Sequence, residues 1–247
     1  MPRIIPFRLA AVCALAISLT LAFAAGAMAK GFSADLRVVG AGGKVLAEKT
    51  VSTADTSVKT SPKADCFGAG TGGSGKAVTI KGNTAMGLLA HAAKTTPALS
   101  PLLISDHFDF GIALCGIGSS VVKGKASWYL KVNHKSLQVG GDSAKIKPGD
   151  EVLWDLAPSY PYPDELGLEA PNTAKAGQPF KVKVVAYDEK GKAKPVAGVK
   201  VTGASAPTNA GGTTMVTLTK PAKLIAKASG EIPSALEPVC IGGKCPK

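Results

Sequence analysis

Across residues 124–156, apolar and polar positions alternate twice. Trp128, Leu130 and Val132 interleave with Tyr129, Lys131 and Asn133, and Val152, Trp154 and Leu156 interleave with Glu151, Leu153 and Asp155. A period of two belongs to a strand with one face on a core and the other in water. The pattern therefore predicts two strands whose tryptophans close a core. Gly140-Gly141 lies in the turn region between them, and Lys147-Pro148-Gly149-Asp150 supplies the turn chemistry that leads into the second strand. Upstream, residues 36–39 and 45–51 flank Ala41-Gly42-Gly43-Lys44 and read as an opening hairpin. Residues 52–64 are polar and read as a loop, and residues 77–80 as a short strand. Behind the cap Asn83-Thr84, Ala85, Leu88, Leu89, Ala92 and Ala93 recur at helical spacing, predicting one helix that Thr96-Pro97 ends. His91 falls on its polar face. Phe108, Phe110 and Ile112 alternate with Asp109 and Gly111 in a run continuing to Ile117.

Beyond residue 156 the pattern changes. Residues 157–164, APSYPYPD, read as a semi-rigid linker. After them, short alternating segments at 166–168, 180–187, 199–201, 215–218, 224–228 and 239–241 are separated by Gly, Pro and Asn turn signals, with no helical period. That spacing predicts a β-sandwich over residues 165–247.

The start of the chain adds a compartment. Arg3 and Arg8 precede an apolar run over residues 9–23 and the small-x-small Ala27-Met28-Ala29, the pattern of a secretory signal over residues 1–29 cleaved before Lys30. The run is short for a bilayer span. Past it four cysteines remain, an even number, which in an exported chain reads as disulfides. Sequence proximity and the domain division favour Cys66 with Cys115 and Cys240 with Cys245. The formal charge of +12 rests almost wholly on lysine, since Arg37 is the one arginine beyond the signal. Lysine lacks the bidentate fork suited to phosphate, so nucleic acid is set aside as a partner; the charge reads either as a lysine-rich surface with no dedicated partner or as a non-specific tendency to adhere to an anionic cell-wall polymer or lipid head group.

No catalytic constellation assembles along the chain. The glycine-rich run from Cys66 to Lys76 matches G-x-x-x-x-G-K, but Ala77 follows where a magnesium-holding Ser or Thr is needed, and a strand follows where the phosphate site needs a helix. Asp106, His107 and Asp109 could orient a base and Ser119 or Ser120 act as nucleophile, yet neither serine sits in a G-x-S-x-G elbow. No metal motif and no cofactor motif is present; Cys240 and Cys245 lack a second ligand pair.

The order of hairpin, capped helix, strand, Trp128-Tyr129 with Val132-Asn133, and Pro148-Gly149-Asp150-Glu151-Val152-Leu153-Trp154 resembles the C-terminal domain of transcobalamin and intrinsic factor, which also occurs in exported bacterial proteins. The resemblance implies an α+β, β-grasp-like domain with one main helix over residues 30–156, and suggests a corrinoid as one small ligand. Residues 194–201 with 208–218 resemble bacterial immunoglobulin-like and carboxypeptidase-regulatory-like modules, commonly spacers or adhesive units. The expectation is an exported, non-enzymatic binding or adhesion protein with an N-terminal signal helix. Its candidate surface is the outward face of the organising strand: Tyr129, Lys131, Asn133 and the adjoining His134. A small-ligand carrier and a hydrolase are the alternatives.

Overall fold

The computed structural model describes residues 31–246, so the signal helix expected over residues 1–29 lies outside the described residues. The first part of the chain contributes β1 (Ser33–Gly40), β2 (Lys44–Ser52), β3 (Thr56–Lys59), β4 (Ala77–Ile80), α1 (Ala85–Ala93), β5 (Leu102–Phe108), β6 (Gly111–Ile117), β7 (Ser120–Val121), β8 (Ser127–Val132), β9 (Lys135–Ser136) and β10 (Glu151–Ala157). The second contributes β11 (Glu165–Glu169), β12 (Thr173–Ala174), β13 (Pro179–Tyr187), β14 (Ala193–Pro195), β15 (Lys200–Val201), β16 (Thr213–Thr217), β17 (Ala222–Leu224), β18 (Ala226–Lys227) and β19 (Glu237–Ile241).

The organising sheet has five strands in the order β2-β1-β10-β8-β9, with β1 and β10 parallel and the other pairs antiparallel. The remaining strands form small sheets of two to four. The expected α+β β-grasp fold is therefore corrected: the described chain is 45% strand against 7% helical, with one α-helix, and its class is all-β. The physical cause is local. Glycine and proline, 29 and 17 of them, interrupt the chain too often for helical periodicity to run on, and the strands that fit between them are short. The all-β architecture is consistent with an Ig-like domain in the second part.

The one helix forms where the pattern places it. Thr84 caps it, its hydroxyl accepting from Gly87 N at 3.0 Å, and eight of its nine residues are buried. Met86, Leu88 and Leu89 meet Leu36, Val38, Leu130, Val152 and Trp154 in the first apolar cluster. A second cluster gathers Leu166, Val182, Val184, Val216, Leu224 and Val239. The linking loop and the opposite face of the large sheet share a third, small cluster of Val39, Tyr129, Leu153, Ala157 and Ile232, with Tyr162 against it.

Two elements were hidden in the pattern. β3 forms inside the segment read as loop and pairs with β4. Residues 108–117 are not one run: β5 and β6 pair antiparallel about a turn that Gly111, at φ 126°, allows. Both expected disulfides form, Cys66–Cys115 and Cys240–Cys245, which is consistent with an extracellular setting. Among the described residues no helix is long and apolar enough to cross a membrane.

Candidate functional site

Of the four residues expected on an outward face, Tyr129 and Lys131 are buried, His134 is half-buried and Asn133 is exposed. β1 and β10 are buried on both sides, because the second part of the chain covers the face that carries Arg37, Lys131 and Asp155. Lys131 is 1% exposed; its ammonium donates to the Tyr187 carbonyl at 3.0 Å and lies 3.6 Å from Glu165 Oε2. Arg37 donates to Glu165 Oε1 and to the Pro233 carbonyl. His134 Nδ1 is 3.1 Å from Glu165 Oε1, its Nε2 is 3.5 Å from Glu151, and its ring stacks on Tyr187 at 3.9 Å, nearly parallel. Glu165 is thus the hub of a buried ionic cluster, and the structure brings Lys131 and His134 together on it. Burial pushes the Glu165 carboxyl up, but His134, Arg37 and Lys131 together outweigh it and hold it below its ordinary value. Burial drives Lys131 down against the pull of Glu165. Asp155 shares this face with no cation to itself, and burial raises it to about 7.

The other two residues take different roles. Asn133 and His134 are the central pair of a two-residue turn between β8 and β9, both with positive φ, at 50° and 66°. This is the type I′ hairpin, whose twist matches the strands it joins. Asn133 secures it by donating to Asp150 Oδ1 and accepting from Glu151 N, each at 2.9 Å. Tyr129 is buried and stacks on Tyr162 at 4.1 Å. Its hydroxyl lies beside Ser136 without a hydrogen-bonding geometry, and burial pushes it up to about 12.

The catalytic and phosphate-binding alternatives meet specific geometry. Asp106 accepts from both the backbone N–H and the hydroxyl of Ser74, each at 2.6 Å, and these bonds hold its carboxyl below the usual range. A carboxylate of the chain itself thus occupies donors that a phosphate would need. Ser120 Oγ accepts from Ala41 N, and the His107 ring packs on Phe108. Among the described residues no group of three His, Cys, Asp or Glu is placed to hold a metal ion.

A feature the sequence did not single out lies at the opposite edge of β8. β9 pairs only Lys131 and Val132, and Leu137 N adds a bond to the Leu130 carbonyl at 3.2 Å. Antiparallel alternation turns the backbone of Trp128 to the same edge, where no strand pairs with it. A groove of about 570 Å³ opens there, bordered by Trp128, Tyr129 and Trp154 and by Phe67, Phe110 and Val139. The last three are large apolar side chains 58%, 69% and 55% exposed. The Cys66–Cys115 bond fixes the chain beside Phe67, whose ring meets Phe108 edge-on at 5.6 Å, while Phe110 stacks on Phe108 at 4.8 Å. Gly141 lets the 137–141 loop lie against the Trp154 ring, since a Cβ there would come within 2.4 Å of it. The indole N–H groups of Trp128 and Trp154 are buried and find no partner among the described residues. Exposed aromatic and apolar side chains around one groove are what a binding surface offers an apolar ligand. The sequence signal was the spacing of Phe67, Phe108 and Phe110 about Cys66, which becomes visible only once the disulfide is known. No family model, curated protein or solved structure matches this chain.

Proposed function

We propose that this chain is an exported, non-enzymatic binding protein that holds a small aromatic molecule in the groove at the open edge of β8. The observation that carries the reading is convergence: both tryptophans of the chain and the two most exposed phenylalanines among the described residues border one groove. The groove falls within the size range of small-molecule sites. Rings stacked on Phe110 and Trp128 would supply area and orientation. The two disulfides support an oxidising compartment for that role.

Because the chain has only two tryptophans, and both border the groove, their emission reports this site alone. Titration with 2-naphthoate is expected to change that emission saturably, and cyclohexanecarboxylate to act far more weakly. Phe110→Ala, a change at an exposed position, should weaken naphthoate by about three- to tenfold, the worth of one aromatic contact. Unchanged emission, or equal affinity in Phe110→Ala, would remove the proposal.

A further inference from the structure

We propose a second ligand site, for a small organic ammonium ion with an apolar body, in the cavity between the end of β10 and residues 227–233. The cavity has a volume of about 560 Å³. Asp155, Leu156 and Pro158 form one wall, and Glu231, Ile232 and Pro233 the other.

One carboxylate, Asp155, is left over from the ionic cluster. Asp155 is 5% exposed, lines this cavity, and has no hydrogen-bond partner among the described residues. The cations nearest it are committed elsewhere, Arg37 to Glu165 and the Pro233 carbonyl, Lys131 to Tyr187 and Glu165. Glu231, from the second part of the chain, lines the same cavity and has one carboxylate oxygen, Oε2, that is buried and without a partner among the described residues. Lys123 and Lys227 also line the cavity, but neither forms an ion pair with either carboxyl. A buried carboxylate without a partner is costly, and two on one cavity are a site waiting for positive charge.

The remaining chemistry narrows the ligand. Inorganic divalent ions need more oxygens than these two carboxyls bring, and no three-ligand group stands among the described residues. An ammonium head is a cation with three donors, one of which Asp155 can accept, while the charge of Glu231 on the same cavity favours its entry. Leu156, Ile232 and the prolines give an alkyl or aryl body a surface to pack on. Burial raises both carboxyls, with the Asp164 charge adding to the effect at Glu231, and a bound cation would reverse that shift.

Calorimetric titration of the folded chain with hexylammonium chloride, at a pH above the Asp155 value, tests the site, with hexanol as the neutral control. Hexylammonium is expected to bind one per chain, with hexanol at least about tenfold weaker. Asp155→Asn and Glu231→Gln should each weaken the amine by about tenfold to a hundredfold, the worth of a charge-assisted bond. Tryptophan emission should stay constant throughout, which separates this site from the groove. Absence of heat, equal binding of hexanol, or wild-type affinity in both variants would overturn the proposal. So would binding that moves the tryptophan emission and disappears in Phe110→Ala.

Discussion

Replacing Glu165 with Gln removes one charge and almost no volume from the hub where Arg37, Lys131 and His134 meet. Glu165 is 2% exposed and Lys131 1%, so the cations it pairs with would stay largely desolvated when its charge is lost. The two cations would then be left with Asp155, which burial already disfavours as an anion, and the more distant charge of Asp164 on Lys131. Breaking a buried pair from one side costs about 3–5 kcal/mol, because the abandoned charge stays desolvated. Lys131 can relieve part of that by losing its proton, a path burial already favours, whereas Arg37 cannot. At roughly 2–4 °C per kcal/mol for a chain of this size, the melting midpoint should fall by about 6–20 °C. Urea unfolding of Glu165→Gln, Lys131→Met and the double variant measures the coupling directly. The double variant should be more stable than Glu165→Gln, since it removes the stranded ammonium as well. The carboxyl is held below its ordinary value of 4.5, so its stabilisation is present above that pH and lost as pH falls below it. Glu165→Gln should lack that acid-dependent loss. A Glu165→Gln protein within about 0.5 kcal/mol of wild type would mean that the cluster behaves as surface charge, and the account of the covered sheet face would be wrong.

Two further outcomes follow from single groups. Asp155 is raised from an ordinary 3.8 to about 7, so the native state prefers it protonated; its contribution is intact below 3.8 and is lost as pH rises through 7. Asp155→Asn should match wild type near pH 4 and exceed it at about pH 8, with a ceiling on the order of 4 kcal/mol, read from urea midpoints at the two pH values. Replacing Cys66 and Cys115 with Ser opens a loop of sequence separation 49 and should lower stability by about 4 kcal/mol on the chain-entropy model. Naphthoate affinity should fall in the same variant, because Phe67 loses its anchor; thermal melts and emission titration check the two effects separately.

The apolar half of the organising sheet was legible because Leu36, Val38, Leu130, Val152 and Trp154 alternate with polar neighbours, and α1 because Thr84 and its apolar repeat agree. The same alternation misled at Lys131. A charged residue between apolar ones reads as solvent-facing, and nothing local distinguishes water from a carboxylate 34 positions away. Glu165 reaches Arg37 across a separation of 128 residues, which no window on the sequence spans. The fold class failed for a related reason: one strong helix in a resembling order suggested a layered α+β domain, whereas glycine and proline divide the chain into strands too short for one large sheet. The groove went unread because its walls come from segments that only the disulfide and the loop after β9 bring together.

The hairpin at Asn133-His134 sets more than a change of direction. Two residues with positive φ allow one turn length, and that length fixes which side of β8 each side chain takes. Adding or removing a single residue there would change the parity of β9 and of the loop bordering the groove relative to β8, or else slip β8 against β10. In the second case Lys131 would enter the cluster of Trp154 and Met86, and Leu130 would face Glu165. The ring of His134, held between Glu165 and Tyr187, adds a tertiary lock to that spacing. The turn therefore works as the counting device of the sheet, keeping charge on the covered face and hydrocarbon against the helix.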